Sequence, residues 1–229
     1  MTKLFTQNKK MAKSTTGNYL VFNFGIPAYL SSTGPKTCPM AGTCAKGCYA
    51  RQGAYVWSNV SQAFEARLAL SQTDEFIGAA IKELELLQKR AKKQNKTLVI
   101  RVHDSGDFYN IDYLNKWLYI MANFPAVKFY SYTKMLPLTR KYFAKHRKPQ
   151  NFRLIQSEGG LADHQIDTND YHSRVFATIE ELTNAGYADA SSDDLVAALG
   201  DNPKIGLVYH GAKSKAWTTD KTTNKDEAA

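Results

Sequence analysis

The stretch from Thr97 to Tyr132 constrains the fold more than any other part of the chain. Thr97 to His103 (TLVIRVH) is apolar and β-branched enough to be a strand, and Asp104-Ser105-Gly106-Asp107 is a turn. Ile111 to Asn123 repeats its apolar residues at helical spacing, and Val127 to Tyr132 (VKFYSY) is a second strand. Together they make one βαβ unit of about the minimal length for a right-handed parallel crossover.

The rest of the chain repeats the theme. Asn18 to Phe24 reads as a first strand, broken by Pro27 and Ser31-Ser32-Thr33-Gly34-Pro35. Asn59 to Ser71 reads as a helix, and Thr73 or Asp74 can cap a longer one through Lys92, in which Phe76, Ile77, Ala80, Ile81, Leu84 and Leu87 recur at helical spacing. Leu138 to His146 reads as a helix, Phe152 to Ser157 as a strand and Arg174 to Thr178 as another. Helical Ile179 to Ala185 and Asp193 to Leu199 precede a last strand, Lys204 to Tyr209. Alternating β and α elements imply an α/β fold with a parallel sheet, open or closed into a partial barrel.

The chain of 229 residues suits one domain. The expected organisation is a basic N-terminal segment (1–17), an α/β domain (18–217) and a polar, disordered tail (218–229). Nothing approaches the roughly 20 consecutive apolar residues of a membrane span, and Met1 to Gly17 has no apolar stretch resembling a secretory signal. A cytoplasmic location is therefore expected. The formal charge of +9 is unevenly spread, with dense runs at Lys89–Lys96 and Arg140–Lys148. These runs are candidate contacts for nucleic acid; a solvated helix face is the alternative reading.

All three cysteines fall within eleven residues, Cys38-Pro39-Met40-Ala41-Gly42-Thr43-Cys44-Ala45-Lys46-Gly47-Cys48. An odd count cannot be consumed by disulfides within the chain, and a reducing compartment favours metal over disulfide. Three thiolates suit a [4Fe–4S] cluster whose fourth iron is open to a small ligand, or a zinc site completed by a histidine. Zinc sites commonly use close pairs of ligands, whereas here the gaps are five and three residues, with no fourth cysteine. A loop with no metal is the third reading.

In parallel α/β proteins, ligands gather at the carboxyl ends of the strands. That rule selects His103, Asp104 and Asp107 after one strand, Lys134 after the next, Glu158-Gly159-Gly160 after another, and His210 after the last. His103, Asp107 and Lys134 are the candidate catalytic groups. Glu158 and His210 are candidate cofactor contacts. Turn formation at Asp104, Asp107 and Gly159, and packing at His103, are the structural alternatives.

Thr37-Cys38-Pro39, Cys44, Cys48-Tyr49-Ala50, Arg101-Val102-His103-Asp104-Ser105-Gly106-Asp107-Phe108, Trp117 and Phe129 to Lys134 together resemble the bacteriophage gene product eighty-eight family. The likeness runs from about residue 15 to 215. The three cysteines are also similar to the cluster ligands of radical S-adenosylmethionine enzymes. That second likeness implies a [4Fe–4S] cluster, a partial barrel and S-adenosylmethionine as cosubstrate, with Ser105 and Gly106 in the place of the turn that contacts it. Those enzymes usually space their cysteines by three and two residues, not five and three. Two functions follow as expectations. One is a radical or redox enzyme acting on a small ligand. The other is a non-catalytic protein whose cluster is structural or redox-sensing and whose basic runs bind nucleic acid or a host protein. A zinc-stapled phage accessory protein is a third.

Overall fold

The computed structural model describes residues 2–209, so His210 and the tail 218–229 lie outside the described residues. Strands and helices alternate along it: α1 (Lys9–Ser14), β1 (Tyr19–Phe24), α2 (Ser58–Ser71), α3 (Glu75–Lys93), β2 (Thr97–Val102), α4 (Ile111–Asn123) and β3 (Lys128–Thr133). There follow α5 (Leu136–Phe143), β4 (Phe152–Ser157), β5 (His172–Phe176), α6 (Ile179–Asn184), β6 (Ala188–Asp189), α7 (Asp194–Leu199) and β7 (Lys204–Val208). The seven strands form one parallel sheet, ordered β1-β2-β3-β4-β5-β7-β6 and curled into a half-barrel.

Every element of the expected βα alternation is present, with shifted ends. β5 begins two residues before the Arg174–Thr178 span, because the polar start His172-Ser173 pairs with Lys204 and Ile205 of β7. α5 begins at Leu136, with Pro137 in its first turn where a missing N–H costs nothing. Asn110 caps α4 by accepting from Tyr113 N at 2.9 Å, and Thr178 caps α6 in the same way. α1 and β6 have no counterpart in the sequence reading.

Strand residues alternate between two faces. Leu20, Phe22, Phe24, Leu98, Ile100, Val102 and Phe129 pack with Leu68 of α2, Phe76 and Leu84 of α3, and Leu114 and Trp117 of α4. Trp117 is fully buried and meets the rings of Phe5, Phe24, Phe76 and Tyr113 at centroid separations of 5.0–6.4 Å. Such pairs each contribute about 0.5–1.5 kcal/mol beyond burial. The other face carries Val21, Val99, Tyr130, Ile155 and Ile205, covered by Met11 of α1 and by Ala197 and Ala198 of α7. Residues 4–14, part of the segment set apart by its basic charge, are thus packed into the domain, with Leu4, Phe5 and Met11 buried.

Candidate functional site

Because all strands run parallel, their carboxyl ends share one rim. Phe24, Val102, Thr133, Ser157 and Val208 close β1, β2, β3, β4 and β7 there. Between β1 and α2 the chain spends residues 25–57 without a helix longer than four residues or a named strand, and this long loop carries the cysteines. It is fastened across the rim. Ile26 N donates to Ser105 O at 3.1 Å, and Asp107 N donates to Thr37 O at 3.0 Å, tying it to the turn after β2. Gly42 N and Cys44 N both donate to Gly159 O, at 3.0 and 3.1 Å, and Leu161 N donates to Met40 O at 2.9 Å, tying it to the turn after β4. The Tyr49 hydroxyl donates to Asp104 O, and the Tyr209 hydroxyl donates to Gly47 O from the end of β7.

These close approaches depend on glycine at two points. A side chain at Gly42 would stand 3.0 Å from the Gly160 carbonyl carbon, and one at Gly106 would stand 2.3 Å from Ile26 Cγ1. Gly106 also has φ +84°, the left-handed region that glycine enters without strain.

The three cysteines are free and half-buried. Cys38 Sγ accepts the Tyr29 N–H at 3.3 Å, and the Cys48 sulfur accepts the Ala50 N–H. Burial, helped by the nearby Asp107 carboxylate, pushes the Cys38 thiol up to about 12. Burial also raises the Cys48 thiol, opposed by the Ala50 N–H and by the charges of Lys134 and Arg51. The neighbouring cysteines add smaller upward contributions at Cys38 and, from Cys44, at Cys48. Among the described residues, no three His, Cys, Asp or Glu side chains gather round a point closely enough to hold one metal ion.

Asp107 and Lys134 lie beside this group. Asp107 is buried; its Oδ1 accepts from Thr133 Oγ1 at 2.7 Å and Phe108 N at 2.8 Å, and its Oδ2 accepts from Lys134 N at 2.8 Å. Burial raises its pKa, and these three donors work against that rise. Lys134 Nζ donates to Ser157 Oγ at 2.8 Å, which brings the ends of β3 and β4 together. Gly159 and Gly160 donate their N–H groups to Asp163, each at 2.8 Å.

The other candidates are placed differently. His103 is buried in the aromatic core, its Nε2 2.9 Å from the Tyr113 hydroxyl and its ring edge-on to Phe24, Phe108 and Trp117. Burial and the Arg101 charge lower its pKa to about 3, so it is neutral at physiological pH. Ser105 is buried under the loop, and its hydroxyl has no hydrogen-bond partner among the described residues. Glu158 pairs with Arg174 at 3.5 Å on a partly exposed surface.

Beneath the loop is a polar network that sequence reasoning missed. Asp194, fully buried at the start of α7, receives Lys10 Nζ at 2.7 Å and Arg101 at 3.2 Å. Arg101 also donates to the Tyr49 hydroxyl at 3.2 Å, and Asn23 donates to Asp104 Oδ2 at 2.7 Å. Arg101 thus links the residue that follows Cys48 to the layer formed by α1 and α7. A charged residue inside the apolar run TLVIRV was the available signal.

A family model described as gene product 88 matches residues 2–227. No curated protein and no solved structure matches the chain.

Proposed function

Because the chain belongs to the gene product 88 family, whose description states no activity, we propose a function from its own rim: an iron–sulfur protein whose cluster is held by Cys38, Cys44 and Cys48. The observation that supports this reading is that three free, half-buried cysteines share one loop fastened to the carboxyl ends of the strands. The donor chemistry fits. Thiolates are the usual ligands of such clusters, and backbone N–H groups directed at the sulfurs tune them; Tyr29 and Ala50 supply two here. Burial disfavours anionic Cys38 and Cys48 in the bare protein, and a bound cationic centre would offset that cost.

A cluster of this kind supplies electron transfer, and three protein ligands leave one iron for a small molecule. The protein's own residues have separate parts. Lys134, held by Ser157 and through its backbone by Asp107, presents a cation next to Cys48 that suits an anionic ligand. Asp107 fixes that arrangement and keeps its carboxylate beside Cys38. The loop itself shields the thiols from water. S-adenosylmethionine is one candidate, its carboxylate being the part that Lys134 would meet.

The test is iron, sulfide and zinc analysis of anaerobically purified protein, with electron paramagnetic resonance after dithionite reduction, with and without S-adenosylmethionine. The expected result is iron and sulfide in near-equal amounts and a reduced-cluster signal that disappears in Cys38→Ala, Cys44→Ala and Cys48→Ala. A signal altered by the cosubstrate assigns radical chemistry. Zinc without iron, or no metal at all, overturns the reading.

A further inference from the structure

The two basic runs fall on the opposite rim. Each helix of a βα unit returns the chain to the amino ends of the strands, so the end of α3 delivers Lys92, Lys93 and Lys96 to the start of β2. The chain after α5 delivers Arg147 and Lys148 to the start of β4, and Lys128 opens β3. β2, β3 and β4 are neighbours in the sheet. Runs separated by about fifty residues in sequence are therefore side by side in space.

Three observations make this more than a solvated surface. None of these six cations has an ion-pair or hydrogen-bond partner among the described residues. Lys128, Arg147 and Lys148 line two adjoining cavities of about 310 and 400 Å³, which share Lys148, Gln150 and Asn151. The cation row also has a definite end. At its β5 side, Asp170 enters the lining and Asp201 acts on Arg153, which is itself occupied by Tyr171 and by the carbonyl oxygens of Ala197 and Gly200.

We infer that this amino-end rim is a nucleic-acid-binding surface, reading the phosphate backbone rather than base sequence. Adjacent strands lie about 4.8 Å apart, so the row across β2, β3 and β4 is about 10 Å long. One strand of a duplex presents a charge about every 3.4 Å, so about three phosphates face that row. The amides of Gln150 and Asn151 add neutral donors to the same concavity. The surface is at the opposite end of the strands from the cysteine loop and stands whether or not a cluster is bound.

The test is fluorescence anisotropy of the full chain with a fluorescein-labelled 20-nucleotide single strand and its duplex, between 50 and 200 mM salt. Contact with about three to four phosphates gives a loss of affinity on the order of a hundredfold over that range. Lys128→Glu with Arg147→Glu lowers the salt slope by about two. Lys82→Glu, an exposed site in the middle of α3, leaves it unchanged. Lys128→Gln with Arg147→Gln gives the same direction without charge reversal, and circular dichroism verifies folding of each variant. No binding at 50 mM salt overturns the inference. So does equal weakening by Lys82→Glu, or displacement of the oligonucleotide by polyglutamate of matched charge as readily as by unlabelled nucleic acid.

Discussion

Arg101 and Asp194 are 93 residues apart in sequence and 3.2 Å apart in the fold, with the Asp194 side chain fully buried. Lys10 completes a triad on the same carboxylate. Replacing Asp194 by Ala leaves two cations without their anion in the interior, and the expected cost is about 3–5 kcal/mol in urea unfolding. Burial opposes ionisation of Asp194, but Arg101 and Lys10 hold its carboxyl below the usual range. A depressed carboxyl contributes stability that is complete above its unfolded pKa, about 3.9, and is lost as pH falls through the folded value. Acid unfolding through this triad therefore occurs below about pH 4, and Asp194→Asn shows no such step.

The pH response of His103 has the same direction in a different window. Its folded pKa of about 3 lies below the ordinary 6.5. The unfolded chain takes up a proton as pH falls through about 6.5 while the folded chain does not, so stability declines by up to about 1.4 kcal/mol per pH unit between about 6 and 3. Asp104 and Asp107, both raised by burial, act in the opposite sense. The difference in urea midpoint between the wild type and His103→Gln isolates the histidine; a difference independent of pH from 7 to 4.5 would refute the neutral, buried placement.

Asp107→Ala removes the acceptor of three hydrogen bonds, from Thr133 Oγ1, Phe108 N and Lys134 N. The expected destabilisation is about 2–4 kcal/mol, since buried donors are left without partners. Thr133→Val removes one donor and is expected to cost about 1 kcal/mol. If the two costs add fully in the double variant, the residues are not coupled as described.

Gly42→Ala tests the fastening of the cysteine loop without touching a thiol. The added methyl crowds the Gly160 carbonyl carbon and Gly159 O, at 3.0 and 3.1 Å. The Gly42 and Cys44 hydrogen bonds to Gly159 weaken, at an expected cost of about 1–2 kcal/mol. If the proposed cluster is bound, iron loss to a chelator is then faster than in the wild type. Release at the wild-type rate, in a variant with a measurably lower urea midpoint, would separate the loop anchor from metal retention.

The βα alternation was legible because six of the seven strands are runs of five or six residues rich in apolar and aromatic side chains, most of them separated by helices. The rim followed from parallel connection alone. The second layer was not legible. α1 is six mostly polar residues (KKMAKS) that bury chiefly Met11, and α7 is six residues long, too short to signal where it packs. Without that layer, nothing in the sequence shows that Arg101 and Asn23 face a covered interior. His103 failed as a rim residue for a related reason. Its backbone turns to φ +69° at the strand end, and the ring returns to the aromatic core.

The fastening of Gly47 by Tyr209 spans 162 residues and comes from the last described residue of the chain. β7 also enters the sheet between β5 and β6, so β6 has no strand partner until β7 arrives. The three thiols thus precede in sequence every rim partner of their loop, first the turn after β2, then the turn after β4, and last Tyr209, so a loop that is local in the chain is held by contacts that are all long-range.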